Sequence, residues 1–193
     1  MLHKTLFTLR YNTSSVAQMV KERKVGLYIG RFQPFHNGHL QAVKSILAEV
    51  DEVIIVIGYA QLSHTETNPF TAGERLSMIR LSLNEAGVDP GGYLTVTVPF
   101  DESNSVYVSR ITSYTPEFND VYSNDPLIRQ LFEESGVPAK AIAAYRRDIY
   151  SAAEFRSRVL AGEVWEELVP SSVAEFPKKI EGPDQVRRIL AAR

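Results

Sequence analysis

Five consecutive β-branched residues, Val53-Ile54-Ile55-Val56-Ile57, run up to Gly58 and set the narrowest limit on the fold. A strand with one face in water alternates apolar and polar residues. An unbroken apolar run belongs to a strand covered on both faces, which is how parallel sheets are built. Val25-Gly26-Leu27-Tyr28-Ile29, ending at Gly30, is a second such run. Between the two lie a loop with Pro34, Asn37 and Gly38, and then Leu40, Val43, Ile46 and Leu47 at helical spacing. Strand, helix, strand is a crossover unit of almost invariant right hand.

The alternation continues. Thr71 with Glu74 three residues on reads as a capping box, opening a helix that Gly87 stops. A strand is expected over residues 93–98, a helix over 105–113 and a short strand at 120–122. A helix opens at Asp125-Pro126 and runs to near Gly136, and a last strand covers 139–145. Beyond Ser151 the pattern is helical over 152–160, 164–168 and 185–191, with a turn near Pro170. This predicts an α/β fold: an open, mostly parallel, Rossmann-like sheet with helices on both faces and a helical carboxyl-terminal segment. Such sheets bind ligands beyond the carboxyl ends of their strands.

Residues 24–193 read as a single domain, and residues 1–23, which lack periodicity, as a frayed leader or a mis-assigned start with translation beginning at Met19. A net charge of −2 supplies no general field for nucleic acid or a membrane surface, so an anionic substrate needs locally placed donors. The absence of cysteine removes disulfides, thiolate ligands and a cysteine nucleophile, and suits the cytoplasm. No run of residues approaches the length of a membrane helix.

The densest chemistry lies in Gly30-Arg31-Phe32-Gln33-Pro34-Phe35-His36-Asn37-Gly38-His39, between the first strand and the first helix. Backbone N–H groups and a helix dipole are offered to phosphate there. Gly30 admits close backbone approach, and Arg31 carries a fixed fork of donors. His36 and His39, three apart at a helix start, face roughly the same way, and as imidazolium donors they suit charge developing on a phosphoryl oxygen. A zinc reading lacks third and fourth ligands nearby, so no metal site is expected.

This string resembles the signature of the nucleotidyltransferase superfamily that contains the NMN (nicotinamide mononucleotide) and pantetheine-phosphate adenylyltransferases. Ser63-His64-Thr65-Glu66-Thr67-Asn68-Pro69-Phe70-Thr71-Ala72-Gly73-Glu74-Arg75 and Tyr122-Ser123-Asn124-Asp125-Pro126-Leu127 are similar to segments of the archaeal-type NMN adenylyltransferases. The resemblance implies in-line attack of a substrate phosphate on the α-phosphorus of ATP, with His36, His39 and Arg31 as catalytic groups. It assigns ATP to Gly30, Arg31, Phe32, His36, His39, Tyr122, Ser123, Asn124, Ser151 and Arg156, with Mg2+ carried on the phosphates. It gives NMN to Asn104, Tyr107 and Asp101, with NAD as product, and it implies a homo-oligomer, hexameric in relatives.

The chain departs from that pattern in places. Tyr107 stands where relatives usually have Trp, and Phe100 where they often have Asp, which leaves the role of Asp101 open. Ala152-Ala153 replaces a Gly-Thr pair, and Thr67 an Arg. Asn104 could equally be the N-cap of the helix that follows. Two other readings stand at this point: the same chemistry on another acceptor, such as phosphopantetheine or a flavin nucleotide, and a nucleotide sensor without catalysis.

Overall fold

The computed structural model describes residues 23–100, 103–143, 145–179 and 182–191. Five strands form one sheet: β1 (Val25–Gly30), β2 (Glu52–Ile57), β3 (Tyr93–Thr97), β4 (Asp120–Tyr122) and β5 (Ala139–Lys140). All pairings are parallel and the spatial order is β3-β2-β1-β4-β5. The expected doubly wound sheet is therefore present. Its strand order reverses direction between β1 and β4, and a crevice for ligands opens at such a switch point.

Each central strand feeds two cores. Tyr28, Val53, Ile55 and Ile57 face one layer, built with α1 (Asn37–Leu47), α2 (Ala72–Glu85), α5 (Ala152–Ala161), α6 (Ser171–Lys179) and α7 (Gly182–Ala191). Leu27, Ile29, Ile54 and Val56 face the other, against Ile111 of α3 (Tyr107–Tyr114) and Phe132 of α4 (Pro126–Glu134). The strand period of two thus sorts the β-branched run onto both faces. Residues 53–57 are at most 1% exposed.

Three differences from expectation have local causes. The helix expected from residue 105 begins as a 3-10 turn, Asn104–Val106, before α3 starts. The strand expected over 139–145 stops at Lys140, because the Ile142 N–H leaves the sheet and donates to Asn124 Oδ1 at 2.9 Å. The 164–168 helix is one 3-10 turn, Glu166–Leu168, and α6, not foreseen, follows Pro170. Glu85, the last residue of α2, caps α6 from outside: it accepts from Ser171 Oγ and, at 2.9 Å, from the Ser172 N–H. These bonds hold the Glu85 carboxyl below its ordinary pKa. The leader assigned to residues 1–23 lies, but for Arg23, outside the described residues. Arg23 pairs with Glu52 at 3.2 Å. No helix among the described residues is long and apolar enough to cross a membrane.

Candidate active site

The loop after β1, beside the switch point, ends in an unusual helix start. His36 is the N-cap of α1 in extended conformation, and a capping box is made by two imidazoles rather than by a hydroxyl and a carboxylate. The His39 N–H donates to His36 Nδ1 at 3.3 Å, and the His36 N–H donates to His39 Nδ1 at 3.2 Å. The rings stack with centroids 3.5 Å apart. An Nδ1 that accepts a backbone N–H carries no proton, so each neutral ring holds its proton on Nε2.

Charge follows from burial. His36 is 8% exposed, and desolvation pushes its pKa down to about 4. His39 is held well below the ordinary value by burial and then by His36. The expected imidazolium donors are therefore corrected to neutral rings with one Nε2–H each.

Phe32 is 1% exposed, with its ring 4.9 Å from His39 in an edge contact and 5.5 Å from Tyr28. It braces His39 from below rather than presenting a face to a nucleotide. A side chain at Gly30 would run into this ring, since a Cβ there would lie 2.7 Å from Phe32.

A second helix start meets the first. Ser151 caps α5, its Oγ accepting from the Glu154 N–H at 3.1 Å, and a Cβ added to Gly38 would sit 3.2 Å from the Cβ of Tyr150. Burial lowers the pKa of Arg156, and the positive charge of Arg31 lowers it further, which places the two guanidinium groups within each other's field. Neither has a carboxylate partner among the described residues. Two like charges, two helix N-termini and two imidazoles at this edge of the sheet make a candidate cradle for a polyanion.

The stretch after β4 is arranged differently from expectation. Tyr122 is 2% exposed, and its hydroxyl donates at 3.1 Å to Glu49, past the carboxyl end of α1 and so towards the opposite edge of the sheet. Strand alternation turns this ring onto the α1 face, where it covers Gly26. Ser123, 3% exposed, accepts from the Asp125 N–H at 3.1 Å, and Asn124 spends its Oδ1 on Ile142. The Tyr122 and Ser123 side chains thus shape the turn, and Asn124 alone of the three is exposed at the ligand edge.

Beyond β3, Asp101 lies outside the described residues. Asn104 is exposed and caps nothing: the N-cap of α3 is Val106, without a side-chain bond. Tyr107 stacks on Phe100 with centroids 4.7 Å apart and planes inclined by 10°, and Tyr59 packs on Phe100 at 5.5 Å. One face of Tyr107 is thereby covered by Phe100. Burial, Tyr59 and Asp125 raise its pKa.

Two groups were not singled out from the sequence as site residues. Gln33, 2% exposed, exchanges two hydrogen bonds with the backbone of Phe70, at 2.9 and 2.8 Å. Arg75 is fully buried. The capping box of Thr71 and Glu74 is present as expected. Among the described residues no group of three or more His, Cys, Asp or Glu side chains could hold a metal ion. A cavity of about 630 Å³ between α1, α2 and α6 includes none of the four cradle residues.

Comparisons with known proteins identify the family. The cytidylyltransferase-like family model matches residues 27–158. A nicotinamide-nucleotide adenylyltransferase of Halorubrum lacusprofundi is 46% identical over 85% of this chain and 92% of its own. One of Pyrococcus horikoshii is 45% identical over 85% and 88%. Among solved structures, a bifunctional NMN adenylyltransferase/ADP ribose pyrophosphatase from Francisella tularensis superposes with a TM-score of 0.71 at 20% identity. It covers 86% of this chain, which spans about half (53%) of that longer protein. A putative nicotinate-nucleotide adenylyltransferase from Vibrio parahaemolyticus gives a TM-score of 0.58 at 14% identity, over 86% of this chain and 96% of that one. With a match of this extent to the family model and relatives this similar along almost their whole length, the chain belongs to the cytidylyltransferase-like family and, within it, to the nicotinamide-nucleotide adenylyltransferases.

Proposed function

We propose that the chain joins the AMP part of ATP to NMN, giving NAD and pyrophosphate. A phosphate oxygen of NMN forms the new bond to the α-phosphorus, and the bond from that phosphorus to the bridging oxygen of the β-phosphate breaks. No side-chain nucleophile is needed, so the work is positioning and charge stabilisation. The observation that carries the reading is the reciprocal bonding of His36 and His39, which commits both Nδ1 atoms to backbone and leaves two Nε2–H donors at a helix N-terminus. Arg31 and Arg156 add permanent charge for the triphosphate, and the Ser151 hydroxyl keeps its proton to donate. Asn104 matches the carboxamide of NMN, with a donor and an acceptor on one planar group. Tyr107, one helical turn on from Asn104, is the aromatic partner for the base.

Mg2+ suits this reaction as a companion of the ATP phosphates, neutralising charge on them, since magnesium binds largely through phosphate oxygens and water. One solved relative by fold, from Francisella tularensis, is complexed with AMP and a manganese ion. The cytoplasm and a homo-oligomeric state belong to the same proposal.

The test is pyrophosphate release by the purified full chain with ATP, Mg2+ and a panel of acceptors. NMN is expected to support NAD formation. Release with phosphopantetheine or a flavin nucleotide but not with NMN would move the assignment to another acceptor. ATP binding without turnover on any acceptor would leave a sensor.

A further inference from the structure

Arg75 is fully buried near the amino end of α2, and its guanidinium is spent on backbone carbonyls. Nη1 donates to Arg31 O at 3.0 Å and to Gly58 O at 2.8 Å, Nη2 to Tyr59 O at 3.1 Å, and Nε to Thr71 O at 3.2 Å. Four of the five N–H groups are thus accounted for. The neighbouring carboxylate of Glu74 is turned back to the Thr71 N–H at 2.7 Å and does not bond the guanidinium. Burial without a bonded carboxylate brings the pKa down to about 10, against the raising effect of Glu74, and the group stays charged at neutral pH.

The acceptors matter more than the donor. Arg31 O and Gly58 O belong to the exits of the two central strands, which are further joined by Gly58 N–H to Gly30 O at 2.9 Å. Beside them stand two left-handed residues that are not glycine, Phe32 (φ 53°) and Tyr59 (φ 52°). Such a backbone is costly for a residue with a Cβ and persists only where its surroundings over-determine it. Arg75 fixes the carbonyl immediately before Phe32 and that of Tyr59 itself. Phe32 in turn backs His39, and the Arg31 side chain stands in the cradle.

We propose that Arg75 is a positioning residue for adenylyl transfer, which holds Arg31 and, through Phe32, His39 in register with the exit of β2. The proposal rests on the adenylyltransferase reading above. The planar fork is what the task requires. A lysine presents three donors from one point and cannot serve carbonyls on both sides of the group.

The experiment compares wild type, Arg75→Lys and Arg75→Met for kcat, both Michaelis constants, melting temperature and the NMR signals of the His36 and His39 rings. Ile54→Ala, in the opposite core near the start of β2, serves as a control for general destabilisation. Arg75→Lys is expected to fold and to lose on the order of 10–100-fold in kcat, the scale set by a misplacement of about 1 Å. Its KM for NMN should change little, and the imidazole signals should move. Ile54→Ala should melt earlier but turn over normally. If Arg75→Met does not fold, the lysine variant still decides. An Arg75→Lys protein with wild-type kcat and unmoved imidazole signals overturns the proposal. A wild type that makes no NAD, with the imidazole signals still displaced in the variant, would fault the adenylyltransferase reading and not the positioning.

Discussion

The imidazoles of His36 and His39 lie face to face, with centroids 3.5 Å apart and planes inclined by 19°, and each receives the other residue's backbone N–H. Neither ring can turn without breaking a bond that caps α1. The donors are therefore set before substrate arrives, the condition under which a donor acts mainly on the transition state.

Replacing His39 by Ala is expected to lower kcat by about 10²–10³-fold, with a smaller effect on KM for ATP. Stopped-flow or coupled turnover with saturating NMN measures it. Near-normal turnover would reduce His39 to a helix-start residue.

Acid should destabilise the fold through the same pair. The pKa of His36 is about 4 in the folded chain against an ordinary 6.5. Between these values the unfolded chain takes up a proton that the folded chain refuses. Stability is intact above about pH 6.5, falls as pH drops towards 4 and levels off below, by a few kcal/mol at most at ~1.4 kcal/mol per unit. His39 acts in the same sense. Urea midpoints taken from pH 7 to pH 4 should show this slope, and His36→Asn, which keeps a good N-cap, should flatten it. An unchanged slope in that variant would assign the effect to other groups.

Gly38→Ala sets two effects against each other. Alanine favours the helix by up to about 1 kcal/mol. Its Cβ would lie 3.1 Å from His36 Nδ1 and 3.2 Å from the Tyr150 Cβ, so the ring or α5 must give way. Melting temperature should stay within a few degrees of wild type while KM for ATP rises several-fold. A full loss of folding, or no kinetic change, would mean that the two helix starts are not packed as described.

Asn104→Ala should raise KM for NMN well beyond that for ATP. Because Asn104 caps no helix, stability should stay within about 0.5 kcal/mol of wild type. Equal changes in both Michaelis constants would remove Asn104 from the acceptor pocket.

The sheet was legible because burial on both faces leaves a mark, the β-branched run of residues 53–57, that does not depend on neighbours. The histidine pair was legible for a similar reason: three-residue spacing at a strand–helix junction fixes orientation locally. What escaped depends on partners remote in sequence. Arg75 stands in the string of a capped helix, but its acceptors are carbonyls of residues 31, 58, 59 and 71, and any residue type supplies a carbonyl. Tyr122 was placed correctly at the end of a strand, but the face taken by its ring was set by the gap above Gly26. α6 draws its cap from Glu85, 86 residues before Ser171, and no reading of the local string finds that bond.

At about 1.5 Å per residue, the 14 residues of α2 make a rod roughly 21 Å long. Its near end grips the exits of the central strands through Arg75, and its far end is a socket for α6 through Glu85. A stiff helix seated at both ends ties the seating of the carboxyl-terminal helices to the exits of the central strands. An added tail or a cut near Ser171 therefore loads α2 at its far end, and the same segment is also tied to the start of α1, where Asn37 donates to Glu167 O at 3.0 Å.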